Sequence, residues 1–511
     1  MAGGTLNLAS NQGTGDDILS INPQITFFKK VYKRHTNFGL ETRQVSTSTN
    51  SSVNFGESVT YTIEKTGTLI NNMYIEFTLP PTVKSDGKVN EKYISGNEVA
   101  GNTTFDSTFN GGGIVSNWDK YCYYVNAVGY AILNEVTLEI DGNKIDKHNG
   151  LWYDIWNELT DPMRKEWSLV GKRDDTEPGK FAQEKKRRYY VPLKFYFNRN
   201  PGLSFPIFLL DDNKVKVSIS LNNLRQLVIC DVVNGSQLEF DDTVKITDFK
   251  CFTNYVFLDS AEENRIRNNL PNEYLIETVD MKQNIKETEL SKMILNNPVK
   301  EIIWVIRNTS RLASGSETNI PKKNTLTKTN PNDIFNYSLH NENTNLAYGS
   351  FDTFKTVKFT ISNQDRIQET DATYFRTLQP YYHHSNVPGG INNNETHKYI
   401  YSYSFAITPE EYQPSGSYNF TKSDDFLKLT FKGLGNPTSD ENNFDDYRVD
   451  LFAFHYKFLS VNSGGIVFKD VPYNSNIQTE TIADSPAMKG VEASIVEGIV
   501  KKKCRERTDE A

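Results

Sequence analysis

Cysteine is scarce in this chain: four in 511 residues, at Cys122, Cys230, Cys251 and Cys504. No two stand at CxxC spacing, which excludes a zinc knuckle and a disulfide scaffold. Buried or incidental free thiols are expected, as suits assembly in a reducing compartment. Positive charge is also short. Lys and Arg number 56 against 64 Asp and Glu, a net charge of −8. A protein that packs a genome needs the opposite balance to neutralise phosphate, so direct genome binding is not expected. Long apolar runs are missing as well. A stretch such as Ile302 to Ile306 falls far below the ~20 residues a membrane-crossing helix needs. The opening Met-Ala-Gly-Gly has neither the basic nor the apolar region of a signal peptide, and Gly3 is not at the myristoylation position. Catalytic signatures are absent too: no GxxxxGK[ST] loop, no HExxH helix and no GxSxG elbow. Neither enzymatic activity nor a cofactor is expected.

Aromatic and β-branched residues are plentiful. Phe, Trp and Tyr make up 12% of the chain while the hydrophobic total is only 37%. Short buried strands joined by long polar loops give this balance. The strands are visible as alternation: Val59 to Ile63, Met73 to Phe77, Val136 to Ile140 and Val215 to Ile219 each place apolar residues two apart. Gly, Asn, Asp and Pro clusters separate them, the punctuation of a sandwich or barrel.

The plan occurs twice. Val136-Thr-Leu-Glu-Ile-Asp-Gly-Asn resembles Val357-Lys-Phe-Thr-Ile-Ser-Asn-Gln, each an alternating strand running into a polar turn. A Tyr- or Trp-rich segment follows each, Leu151 to Leu159 and Tyr374 to His384. Next come the Pro-containing stretches Asn200-Pro-Gly and Gln413-Pro-Ser-Gly, and then the strands Lys214 to Leu221 and Phe426 to Phe431. Tandem duplication of one sandwich domain explains this order. The reading is an arm over residues 1–25, a first sandwich over 26–223, a linker over 224–246, a second sandwich over 247–470 and a tail over 471–511. Loop insertions at about 81–119 and 309–350 are long enough to be functional. In the tail, Ser485-Pro486 suits a helix start, and Val491, Ile495, Val496, Ile499 and Val500 share one helical face, a candidate docking helix.

Several features invite a sharper reading. Adjacent residues on a strand point to opposite faces, so the pair His383-His384 is not expected to chelate one metal. Asp16-Asp17 lacks convergent further ligands, and Gly111-Gly-Gly113 lacks the context of a phosphate loop. Lys29, Lys30, Lys33 and Arg34 are interleaved with Phe27, Phe28, Tyr32 and Phe38. Such a segment can bind nucleic acid by stacking and charge. The preferred reading is a segment packed at a subunit contact, with the cationic stems snorkelling. Sequons at Asn102, Asn336 and Asn394 are candidate glycan acceptors, although no signal peptide routes the chain to the secretory pathway.

Several blocks resemble the major capsid proteins of nucleocytoplasmic large DNA viruses, the giant- and algal-virus lineage. The first is Asn22-Pro-Gln-Ile-Thr-Phe-Phe-Lys-Lys-Val-Tyr-Lys-Arg-His-Thr-Asn-Phe38. Asn134 to Gly142 with Trp152 to Leu159, and Pro192 to Leu203, follow. Later blocks are Tyr255 to Asp259, Glu273 to Glu277, Pro298 to Val305, Gln379 to Pro388 and Gln413 to Gly416. They stand in the family's order across most of residues 20–470. The resemblance implies an all-β fold: two tandem eight-stranded jelly rolls with short helices and long loop insertions. It also implies homotrimers forming pseudo-hexagonal capsomers of an icosahedral shell, located in the virion and assembled in the host cytoplasm. Minor capsid and penton proteins, and the membrane beneath the shell, are the implied partners. By the same resemblance Lys29, Lys30, Lys33 and Arg34 would sit at the inner base of the capsomer, and the insertions would form outward towers. The competing classes are a carbohydrate-binding or carbohydrate-cleaving sandwich, which needs two convergent carboxylates not identifiable here, and a minor capsid or penton protein, against which the duplication argues.

Overall fold

The computed structural model describes residues 3, 5, 22–47, 53–81, 122–173, 186–212, 214–230, 245–286, 290, 292–295, 297–309, 334–339, 352–388, 398–420, 426–462 and 465–469. In the first half the strands are β1 (Phe38–Gln44), β2 (Ser46–Thr47), β3 (Ser58–Ile63), β4 (Leu69–Leu79), β5 (Cys122–Tyr124), β6 (Leu133–Ile140), β7 (Asn143–His148), β8 (Arg187–Pro192), β9 (Val215–Leu221), β10 (Val228–Cys230) and β11 (Thr247–Leu258). In the second they are β12 (Asn272–Ile285), β13 (Pro298–Asn308), β14 (Thr356–Ile361), β15 (Gln364–Asp371), β16 (Tyr401–Ser404), β17 (Tyr418–Asn419), β18 (Leu427–Lys432), β19 (Tyr447–Asn462) and β20 (Gly465–Lys469). Three helices matter below: α1 (Gly150–Thr160), α2 (Ser260–Asn268) and α3 (Gln379–His383).

Alternation dictates the layers. Inward residues such as Val59, Tyr61 and Ile63 on β3, and Val215, Val217 and Ile219 on β9, are buried while their neighbours are not. Two sheets then close over one core. One is ordered β1-β11-β4-β8; the other β2-β3-β9-β6-β7. Leaving out the short β2, β5 and β10, the first sandwich has eight strands, and the two orders read first-eighth-third-sixth and second-seventh-fourth-fifth. The second half repeats them. Its sheets run β12-β19-β13-β16 and β15-β14-β18, and the antiparallel bridge Met293–Leu427 occupies the second-strand place beside β18. Both halves are therefore jelly rolls. Aromatic rings fill each core: Phe77 packs on Tyr189 and Phe249, and Trp304 on Phe359, Phe375 and Tyr401.

The repeated motif seen in the sequence is the fourth strand with its hairpin. Both hairpins turn on two residues with positive φ, Asp141 (50°) and Gly142 (77°) in one, Ser362 (50°) and Asn363 (63°) in the other. That is the type I′ geometry that matches strand twist.

The join between domains needs correction. Strand β11 pairs with β1 and β4, so it is the eighth strand of the first sandwich. The join follows Leu258, at α2, rather than lying at residues 224–246. The alternating pattern of β11 fits either sandwich equally well; only its register chooses. The Trp- and Tyr-rich segments are helical. Cys251 is a buried free thiol whose pKa burial pushes up to about 12. The tail, Asp16-Asp17, Gly111 to Gly113, Cys504, Asn102 and Asn394 lie outside the described residues.

Candidate functional site: the seam between the sandwiches and the exposed arm

The sequence Gly-Leu-Trp-Tyr-Asp-Ile-Trp-Asn-Glu-Leu of α1 is apolar except for one stripe, Asp154, Asn157 and Glu158 at i, i+3 and i+4, and the structure buries all ten residues. Asn149 caps it, its side chain accepting from the Trp152 N–H at 2.9 Å. Gly150 is required by close approach: a Cβ there would lie 2.0 Å from the Tyr130 carbonyl oxygen. One side of α1 packs on its own sandwich, Tyr153 against Tyr130 at 5.8 Å between ring centroids. The other meets the second sandwich. Trp152 lies 5.5 Å from Phe452, and Trp156 lies 5.1 Å from Phe454.

Asp154, fully buried in the middle of α1, ties four segments together. Its carboxylate accepts from Lys172 Nζ at 3.1 Å, Lys398 Nζ at 2.8 Å and Tyr337 Oη at 2.7 Å. Burial alone would raise its pKa. The charges of Lys172 and Lys398 and the bonds from Lys398 and Tyr337 override that and hold the group well below the usual carboxylate range. Lys172 also reaches Glu158 at 2.6 Å. A second cluster lies across the seam. Glu277 on β12 accepts from Arg199 at 3.1 Å and from Lys300. Arg199 stands 4.9 Å over the Phe454 ring, and Lys300 stands 4.6 Å from it. For Lys300, burial outweighs the attraction of Glu277, and the ammonium pKa is lowered.

The histidine pair is at a helix end, not on a strand. His383 closes α3 and His384 is its extended C-cap. The two rings engage different partners. His383 Nδ1 meets the Ile407 carbonyl at 2.9 Å. The side chain of His384 is wholly buried between Glu301 on β13, at 2.5 Å, and Glu410, at 2.9 Å. Ser385 donates its N–H to Glu410 at 2.8 Å. A strand, a helix end and a loop are thus fastened by one imidazolium.

Residues 22–37, in contrast, project from the body. Ile25, Phe27, Phe28, Val31 and Tyr32 are exposed, Phe28 at 98%. Five large apolar side chains on one short segment make an exposed apolar surface.

No group of three or more His, Cys, Asp or Glu suited to a metal ion occurs among the described residues. No helix among them is long and apolar enough to cross a membrane. The family models match in tandem: major capsid protein N-terminus over residues 26–259, and large eukaryotic DNA virus major capsid protein over residues 263–467. The major capsid protein of Paramecium bursaria Chlorella virus 1 is 30% identical over 498 residues, covering 91% of this chain and 98% of its own. That of Pyramimonas orientalis virus is 29% identical over 486 residues, with coverage of 91% and 98%. Among solved structures, PBCV-1 VP54 superposes with a TM-score of 0.61 at 25% identity, over 87% of this chain and all of its own.

The chain belongs to the major capsid proteins of large eukaryotic DNA viruses.

It is therefore a structural component of a capsid shell, not an enzyme. The family models divide between residues 259 and 263, where the strand pairing places the join. Of the residues singled out in the sequence, Lys29, Lys30, Lys33 and Arg34 are exposed on the segment 22–37, which extends the arm of residues 1–25 and is taken with it as one arm. Asn336 is buried, and its Oδ1 accepts from Ser338 N–H at 3.0 Å and Ser338 Oγ at 2.7 Å. The geometry there opposes a glycan, which needs an outward amide. Residues Phe335 to Leu339 are buried throughout, so this part of the second insertion lines the seam instead of standing in a tower. Sequence reasoning missed the Asp154 cluster, whose members lie as far apart as Asp154 and Lys398. Its one legible signal was a carboxylate in the middle of an apolar helix.

Proposed function

We propose that three copies of this capsid protein form a pseudo-hexagonal capsomer that tiles an icosahedral shell. The observation that carries the reading is the repeated strand order in both halves. One chain supplies two like sandwiches fixed to each other by an ion-paired seam, so three chains in a closed ring present six. The arm lies at the inner base, where its apolar residues are covered by neighbouring chains and Lys29, Lys30, Lys33 and Arg34 face the particle interior. Minor capsid and penton proteins, and a membrane under the shell, are the further partners. Assembly takes place in the host cytoplasm.

Sedimentation equilibrium of the purified chain tests this. A concentration-stable trimer that forms hexagonal arrays is expected; a monomer at every concentration would overturn it. Changing Lys29, Lys30, Lys33 and Arg34 together to Ser should lower the yield of trimers or closed particles. Normal trimers and particles from that variant would remove these residues from assembly.

A further inference from the structure

The two jelly rolls share a strand order but not a pattern of burial. In the second, β19 is buried on both faces from Val449 to Tyr456 and β13 from Val299 to Ile306. Much of the cover comes from the first sandwich, through Trp152 and Trp156 of α1 and through Arg199, with His384 of the second sandwich itself over Glu301. The matching strands of the first sandwich, β11 and β4, are buried mainly on alternate residues. On β11 the inward Phe249, Cys251, Thr253 and Tyr255 are buried, while Lys250, Phe252 and Asn254 point outward and stay partly exposed. The register sets Phe252 opposite Tyr74, with rings stacked at 5.0 Å, and Tyr190 lies 6.2 Å beyond. Leu40 of β1, 65% exposed, stands on the same face across from Val256. This outer face carries the partly exposed rings of Tyr74, Phe252 and Tyr190 beside the charged Glu76, Arg188 and Lys250.

The helices show the converse. α1 and α3 both lie between the fifth and sixth strands of their sandwiches. α1 is buried along its length except at Thr160, and it spends Trp152 and Trp156, one helical turn apart, on the second sandwich. Around α3, Leu378 and Tyr382 have that same spacing. Tyr382 is 66% exposed and Tyr381 69%. The segment after the sixth strand behaves alike. In the first sandwich it delivers Arg199 to the seam; in the second it holds out Ile407, 71% exposed. The His383 and His384 bonds described above fix α3 and the Ile407 loop to β13, so the patch is preformed. A rigid exposed aromatic cluster loses little entropy on binding.

We infer that α3 and Ile407 of one copy pack on the outward Tyr74–Phe252–Tyr190 face of the next copy's first sandwich, repeating between chains the seam that α1 makes within one. The inference rests on the trimer reading and names its interface. The contact is heterologous and closes after three copies. Inside the chain the helix side brings Arg199 to Glu277 on the sheet side. Between chains the exposed Glu411, beside the Ile407 loop, would face Lys250, which stands opposite Glu76 in the register.

Two measurements on the full chain test it. Tyr381→Ser with Tyr382→Ser alters only exposed side chains, and the melting temperature should stay within a few degrees of the parent. Sedimentation should show the trimer half-dissociated at a concentration at least about tenfold higher. Separately, Tyr382→Cys and Phe252→Cys chains are oxidised gently, alone and mixed. A disulfide-linked dimer above the parent background should form in the mixture only. A parental chain that stays monomeric defeats the trimer reading and this inference together. A parental trimer with an undisturbed Tyr381/Tyr382 variant defeats the inference alone. So does a parental trimer with no cross-link in the mixture, or with one in the Tyr382→Cys chain by itself.

Discussion

Taken out of water, an imidazole gives up its proton more readily. Burial pushes the pKa of His384 that way, but the carboxylates of Glu301 and Glu410 outweigh it and raise the group from 6.5 to about 9. The folded protein therefore holds a proton that the unfolded chain releases between these values. Below about pH 6.5 both states carry it and the stabilisation is complete; as pH rises through 9 it is lost. The difference is on the order of 3 kcal/mol. His384→Gln should remove this part of the pH dependence, so the gap in unfolding free energy between parent and variant should shrink from pH 6.5 to 9.5. A constant gap would show that His384 is not charged in the fold. The His-His pair was visible in the sequence, and so was its structural character. Its helix end and its acidic partners were not, because Glu301 and Glu410 lie on a distant strand and loop.

At the scale of elements, the hairpins show where local sequence suffices. A strand that alternates and then meets Asp141-Gly142 or Ser362-Asn363 closes on a type I′ turn because Gly and short polar side chains such as Asn, Asp and Ser tolerate positive φ best. Nothing lies within 4 Å of a Cβ built on Gly142, so substitution there meets conformational strain and no clash. Gly142→Val should cost about 1–2 kcal/mol in urea unfolding with an unchanged denaturant slope. A neutral result would mean the turn relaxes to another type. Strand β11 shows where local sequence fails. Its alternation is plain, but the polar run before it resembles a linker, and its backbone pairing with β1 and β4 is invisible in one dimension.

For the whole molecule, the seam makes two sandwiches one body. Asp154 carries two ammonium groups and a phenol in a buried site, two of these three partners coming from the second sandwich. Asp154→Asn leaves Lys172 and Lys398 short of a counter-charge, and a loss of about 3–5 kcal/mol is expected. Differential scanning calorimetry should show it as a lower transition temperature. An unchanged transition would mean that the contacts of Trp152 and Trp156 and the Arg199–Glu277 pair hold the halves together without it.

The sequence by itself determined the all-β class and the duplication. Alternation, turn chemistry and the order of family-like blocks are local properties, fixed by which side chains suit a pleated, half-buried surface. The tertiary structure alone decided which sandwich owns β11, that the Asn336 side chain is buried, and how Phe335 to Leu339 came to lie in the seam. It also showed which sheet face is covered and which is left open. Those outcomes depend on pairing and burial between residues more than a hundred positions apart, and no local pattern carries that information.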